Sequence, residues 1–221
     1  PLNTQMQNLT RRQLLIGAGT SALGLAPFIS HADTWPTKPL RLIVPFAPGG
    51  SSEIVARALA GEMSKTIGQS VFVENKPGAA GNIAMQEVAN ATDEHTLILG
   101  HIGTLAVNQY IFSKLPYDPI KDFTAIGRFG YAPFVLAVKA DFPAKNVQEL
   151  MAYARKPENK ASYAYGNSTG QVAGAAFSSL SRLNASAVPY KSTPQALTDL
   201  IGGQVTFLFV DLASSRPHVQ S

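Results

Sequence analysis

The sequence predicts an α/β fold of two lobes, each a parallel sheet wound with helices, with a cleft between the lobes. Three observations predict it. Short apolar, β-branched runs alternate with helical patterns, and a parallel, doubly wound sheet is the economical answer to that alternation. The alternation runs twice, on either side of a Pro-bounded connection, Leu115-Pro116-Tyr117-Asp118-Pro119. Several strand exits carry glycine and hydroxyl residues and lead into helices, and in such sheets ligands sit beyond the carboxyl ends of the strands.

Leu40 to Glu53, LRLIVPFAPGGSSE, organises the first lobe. Leu40, Leu42, Ile43 and Val44 read as a buried strand. Pro45 and Pro48 stop it, and Gly49-Gly50 free the backbone for a tight turn. Ser51 and Ser52 suit the start of a helix as N-caps. Val55, Leu59, Met63 and Ile67 then recur every four residues, the apolar face of that helix. Strand, glycine turn and helix start aim backbone N–H groups and a positive dipole end at one small volume, where a carboxylate or phosphate fits. The same stretch also suits a plain αβ connection whose glycines serve geometry alone.

Next in order, Ser70 to Glu74 reads as a strand, Asn75 to Asn82 as a glycine-bearing loop and Ile83 to Ala89 as a short helix. Thr96 to Leu99 is a third strand, and His101 to Thr104 bridge into a helix through Ala106 to Phe112. The exits Ala47–Ser52 and Gly100–Thr104 are placed to line one cleft. Beyond the Pro-bounded connection, Phe123 to Gly130 and Phe134 to Lys139 read as two strands. Asn146-x-x-Glu149 has capping-box spacing and opens a helix. Ser162 to Tyr165 is a strand, Gly166 to Gly170 a hydroxyl-rich loop and Ala173 to Leu183 a helix. Ala187 to Tyr190 is a strand, and Thr193-Pro194 starts a helix that Gly202-Gly203 ends. Val205 to Val210 is the last strand, with Asp211 at its exit, and Leu212 to Val219 is helical. The domain reading is an export signal over 1–32, a first lobe over 33–131 and a second over 132–221. The chain stops within a helical pattern, so a C-terminal part that would complete both sheets is expected to be missing.

Composition excludes several functions. The 221 residues contain no cysteine, hence no disulfide, thiol nucleophile or cysteine metal site. Of the 18 bases, Arg11 and Arg12 lie in a segment without acids, leaving 16 bases against 14 acids elsewhere. That surplus is too small and scattered for a nucleic-acid partner. No histidine has a second ligand at metal spacing, and His101 reads as a loop residue. No Gly-Lys-Ser/Thr follows Gly49-Gly50-Ser51 and there is no G-x-S-x-G elbow, so no enzyme and no cofactor are expected. At the N-terminus, Arg11-Arg12, an apolar run from Leu14 to Ile29 and Ser30-His31-Ala32 form an export signal to the periplasm. It has twin-arginine character, although Sec signals also carry paired arginines. Met6 is the expected start and Asp33 the expected beginning of the mature chain.

Six stretches in order carry a family resemblance: Trp35-Pro36-x-Lys38-Pro39; Ile43-Val44-Pro45-Phe46-x-Pro48-Gly49-Gly50; Val73 to Ile83, VENKPGAAGNI; Leu115 to Pro119; Val188-Pro189-Tyr190-Lys191; and Ala196 to Val205, ALTDLIGGQV. With these, Asp33 to Gln220 resembles the extracytoplasmic solute receptors of the tripartite tricarboxylate transporters, the Bug proteins. The resemblance implies a two-lobed periplasmic-binding-protein (Venus-flytrap) architecture closing on a small carboxylate, with membrane permease subunits as partners. It maps ligand contacts to Phe46, Gly49, Gly50, Ser51 and Ser52, to Gly103, Thr104 and Asn108, and to Ser168, Thr169 and Asp211. Glu53 stands where the family usually has Asp, and Leu105 and Gln171 stand where His is common, which leaves ligand identity open. Each residue also has a structural reading: Ser51, Ser52, Thr104 and Asp211 as helix caps, and Glu53 as a first-turn acid. The alternative functions are a sensor subunit feeding a signalling partner and an exported hydrolase-like enzyme.

Overall fold

The computed structural model describes residues 35–219; the export-signal reading falls on residues outside them. β1 (Leu40–Val44) is the centre of the first sheet. β2 (Val71–Asn75) and β3 (Thr96–Ile98) flank it in the order β2-β1-β3, both parallel to it. Leu40 pairs with Val71 and Val44 with Asn75, while Arg41 to Ile43 pair with Thr96 to Ile98. A central parallel strand is covered on both faces, so it reads as a continuous apolar run. Leu40, Leu42, Ile43 and Val44 are accordingly all buried.

α1 (Ser51–Ile67) packs on this sheet by a stripe that matches the sequence reading in part. Ala56 and Ala60 are its buried residues, while Val55 is 36% exposed. Leu59 of the expected face packs on the same cluster, and Met63 and Ile67 are half-buried, so only Val55 falls outside the stripe. Ala56 and Ala60 pack with Leu42, Val44 and Leu99, and small side chains there admit a close helix. α2 (Asn82–Ala89) is tied to the strands by charge. Arg41 donates to Glu74 on β2 at 2.8 Å and to Glu87 on α2 at 2.9 Å, and Lys76 also reaches Glu87. The helix expected through Ala106–Phe112 begins instead as a π-helical turn, Gly103–Val107, before α3 (Asn108–Ile111).

The second sheet contains β4 (Phe134–Ala137), β5 (Ser162–Tyr165), β6 (Ser186–Pro189) and β7 (Phe207–Asp211), in the order β4-β7-β5-β6. β5 is parallel to β6 and β7, but β4 runs antiparallel to β7, Phe134 opposite Asp211. The purely parallel reading is corrected by this edge strand, a common addition to wound sheets. Both faces of β7 are covered: Leu208 and Val210 meet Leu197 and Leu200, and Phe207 stacks on Tyr163 and meets Phe177 edge-on. The run Phe123 to Gly130 is not a strand. Ile126 is 83% and Phe129 54% exposed, and strand propensity without a neighbouring ladder does not make a strand.

α4 (Val147–Ala154) begins at the expected box: the Glu149 N–H donates to Asn146 Oδ1 at 2.9 Å, and Glu149 accepts from the Lys145 N–H. α5 (Ser168–Leu180) starts five residues earlier than expected, because Asn167 Oδ1 accepts the Gly170 N–H at 2.9 Å. The supposed loop Gly166–Gly170 is therefore a cap and a first turn. α6 (Thr193–Ile201) and α7 (Leu212–Val219) follow the sequence reading.

Candidate functional site

Strand order fixes where a crevice opens. β2 and β3 lie on opposite sides of β1, so the connections around β1 and β3 diverge at their carboxyl ends. Among the parallel strands of the second sheet, β5 and β7 stand in the same relation. The residues leaving these four strands meet. Phe46, Gly50, Ser51, Ser52 and His101 come from the first lobe, and Asn167, Asp211 and Ser214 from the second, joined by Thr193 and Pro194 after β6. They enclose a cavity of about 30 Å³, room for roughly one or two waters.

Four helices begin at this cavity: α1 at Ser51, α5 behind its cap Asn167, α6 at Thr193 and α7 behind Asp211. Each brings a partial positive charge and N–H groups that have no partner within the helix itself. Gly50, not a serine, is the N-cap of α1, and no side chain caps it. Ser51 and Ser52 both line the cavity. The Ser51 N–H donates across the lobes to Ser214 Oγ at 3.1 Å. Ser214 donates its own hydroxyl to Asp211 Oδ2 at 3.0 Å, and its N–H donates to Asp211 Oδ1 at 2.8 Å. Asp211 is therefore the cap of α7 and a wall of the cavity at once.

Glu53 is a first-turn acid turned back on its own loop. Its carboxylate accepts the Gly49 N–H at 2.6 Å and both Arg57 Nε and Nη2. The Gly49 N–H first, and Arg57 second, hold this carboxyl below the usual glutamate range. Gly49 has φ +87°, a backbone state that L side chains rarely adopt.

The other expected contacts serve different ends. Thr104, Asn108 and Ser168 are buried. Asn108 Nδ2 donates to Ala80 O at 3.1 Å and to Asn82 Oδ1 at 2.6 Å, and Ser168 Oγ donates to Asn108 Oδ1 at 2.5 Å. Tyr117 donates to the Thr104 carbonyl at 2.6 Å, and Thr104 Oγ1 donates to the His101 carbonyl at 3.0 Å. This network lies between the lobes, beside the cavity rather than in it. The Thr169 hydroxyl is buried without a hydrogen-bond partner and lies close to Gly103. A second, larger space of about 740 Å³ borders Phe46, Asn167 and Ser168 and extends past Ala79, Tyr165 and Lys191.

Sequence reasoning gave His101 only as a loop residue. It lines the cavity, its ring edge-on to Phe46 with centroids 5.2 Å apart. The Gly103 N–H donates to its Nδ1 at 3.0 Å. Burial pushes the imidazole below its ordinary pKa, and the Asp211 charge offsets this in part. Its place directly after a central strand exit was the available signal.

The model of the tripartite tricarboxylate transporter family receptor matches residues 55–221. The chain belongs to this family. Among solved structures, the chain is similar to Rpa4515 of R. palustris with adipate, at 34% identity and TM-score 0.81, over 84% of this chain and 63% of that one. MatC of Rhodopseudomonas palustris with bound malate is 33% identical at TM-score 0.79, over 84% and 64%. The periplasmic binding protein BugD is 32% identical at TM-score 0.78, over 84% and 63%. The chain spans 64–65% of the length of the first curated relatives it matches. The family and these neighbours are solute-binding proteins, not enzymes.

Proposed function

We propose that this chain forms the ligand cleft of an extracytoplasmic receptor that captures a small carboxylate between its lobes and presents it to tripartite-transporter permease subunits. The observation that carries this reading is the meeting of four helix N-termini around one cavity whose lining contains no lysine or arginine. Such a site holds an anion by N–H groups, hydroxyls and dipoles. The one acid in the wall, Asp211, already has Ser214 on both oxygens. Phe46, Gly49, Gly50, Ser51 and Ser52 make the carboxylate pocket of the first lobe, with Gly103 and Thr169 at its side and Asp211 opposite. Thr104, Asn108 and Ser168 support it from the buried network. The adipate and malate in the similar structures set the size of ligand to try. The periplasmic setting of BugD supports an extracytoplasmic location.

The ligand enters by separating the lobes, because a cavity of about 30 Å³ is too small to receive it. Calorimetric titration with adipate, malate and the corresponding diamides tests the reading. The acids are expected to bind and the diamides to bind at least tenfold more weakly. Equal affinity for acid and diamide overturns the anion site.

A further inference from the structure

We infer that His101 is a specificity-determining ligand contact, donating its Nε2–H to an oxygen of the bound solute; this rests on the carboxylate-receptor reading above. A backbone N–H can only donate, so the Gly103 N–H on Nδ1 at 3.0 Å requires a lone pair there. The neutral ring then carries its proton on Nε2. The Phe46 edge contact on one side and Gly103 on the other fix the ring in the wall of the cavity. A side chain at position 103 would press on Nδ1 at 3.1 Å, so glycine there is part of the same fitting.

Nε2 has no hydrogen-bond partner among the described residues, nor is it sealed off as a buried unpaired atom. It is a donor held ready on an open cavity. Asp211 is the charged group facing it from the other lobe, and burial outweighs that charge in keeping the ring neutral. His101 thus differs in kind from the helix N-termini. It supplies one directional donor without a formal charge, and it selects for where the ligand places an acceptor oxygen.

Two substitutions separate this role from support of the loop. His101→Asn keeps an acceptor near the Nδ1 position for Gly103 and removes the donor at Nε2. His101→Gln keeps an amide N–H near the Nε2 position. The wild type and both variants are titrated calorimetrically with acetate, malate, adipate and citrate. The wild type is expected to bind at least one of these. His101→Asn should lose tenfold or more of that affinity, and His101→Gln should stay within about threefold. In the wild type, ligand should shift the ¹⁵N resonance of Nε2 while Nδ1 stays unprotonated. If the wild type binds but His101→Asn is within twofold of it, or saturating ligand leaves Nε2 unmoved, the inference is overturned and the receptor reading stands. If the wild type binds none of the four, the receptor reading fails and this inference with it. A His101→Asn chain that does not melt cooperatively leaves the decision to the Nε2 resonance of the wild type.

Discussion

Ser168 on α5 donates its hydroxyl to Asn108 Oδ1 on α3 at 2.5 Å, joining the second lobe to the first through two almost wholly buried side chains. Asn108 spends its amide on Ala80 and Asn82 in the same lobe, so both ends of its side chain are used. A satisfied polar network of this kind specifies one arrangement, because every alternative leaves a buried group unpaired. Ser168→Ala leaves Asn108 Oδ1 without its donor and should cost about 1–3 kcal/mol of unfolding free energy. Denaturant titration measures the loss, and a double-mutant cycle with Asn108→Ala should give a coupling above about 0.5 kcal/mol. Additive losses would show that the bond does not join the lobes energetically.

A second prediction concerns the start of α1. Ser51 is the first helical residue and its predecessor Gly50 is extended, at φ −89° and ψ 167°. Proline is at home in that position, and an extended residue before it is the favoured one. Ser51→Pro therefore removes one N–H, the donor to Ser214, while leaving the helix start intact. If that N–H receives the ligand carboxylate once the lobes part, affinity should fall by about tenfold or more, since hydrogen bonds to charged groups contribute about 1.5–3 kcal/mol. The melting temperature should change little. An unchanged dissociation constant would remove the Ser51 N–H from the anion site.

The fold was largely legible because strand burial and helix period are local properties. Leu40 to Val44 could only be a covered strand, and Asn146 with Glu149 marked a helix start correctly. What failed were questions that local sequence does not answer. Phe123 to Gly130 has strand composition but no neighbour to pair with. Val55 has helical spacing, yet the sheet accepts Ala56 and Ala60 instead. In the site, sequence gathered hydroxyls and amides at strand exits but could not divide them. Ser51 and Ser52 line the cavity, whereas Asn108 and Ser168 are consumed by each other. His101 was read only as a loop residue because its fixed partner is a backbone N–H and its facing charge, Asp211, comes from the other lobe.

Glycines test the packing around the site with opposite signs. A Cβ at Gly166 would lie 2.2 Å from the backbone of Ser192 and Thr193, where β5 ends against the start of α6. Backbone atoms do not yield as a side chain does. Gly166→Ala should destabilise by about 3 kcal/mol or more, the upper end for overpacking. Gly61, inside α1, has nothing within 4 Å of its Cβ position. Gly61→Ala should stabilise by about 0.5–1 kcal/mol through helix propensity alone. Thermal and denaturant melts of the two variants check both signs, and a tolerated Gly166→Ala would mean that the second lobe closes less tightly on itself than the structure has it.

The last prediction follows the proton on His101. Burial lowers the folded-state pKa from the ordinary 6.5, and Asp211 only partly offsets it. The unfolded chain therefore binds a proton at a pH where the folded chain does not. Where the unfolded state holds more protons, stability rises with pH. The contribution is fully present above about pH 6.5 and is lost as pH falls from there toward the folded value. The carboxyl groups held low, Glu53 and Glu87 below the ordinary 4.5 and Asp93 and Asp118 below 3.8, lose their contributions only at more acid pH and do not blur this window. Protonation also puts a hydrogen on Nδ1, directly against the Gly103 N–H, so the charged ring must give up the contact that holds it. Denaturant unfolding of the wild type at about pH 7.5, 6.5 and 5.5 should show falling stability, with a shallower fall in His101→Asn, which cannot take up that proton. The two chains should differ most at the alkaline end. A wild type and His101→Asn with parallel pH profiles across this window would show that the ring does not stay neutral on folding, and that the Gly103 N–H does not fix its tautomer.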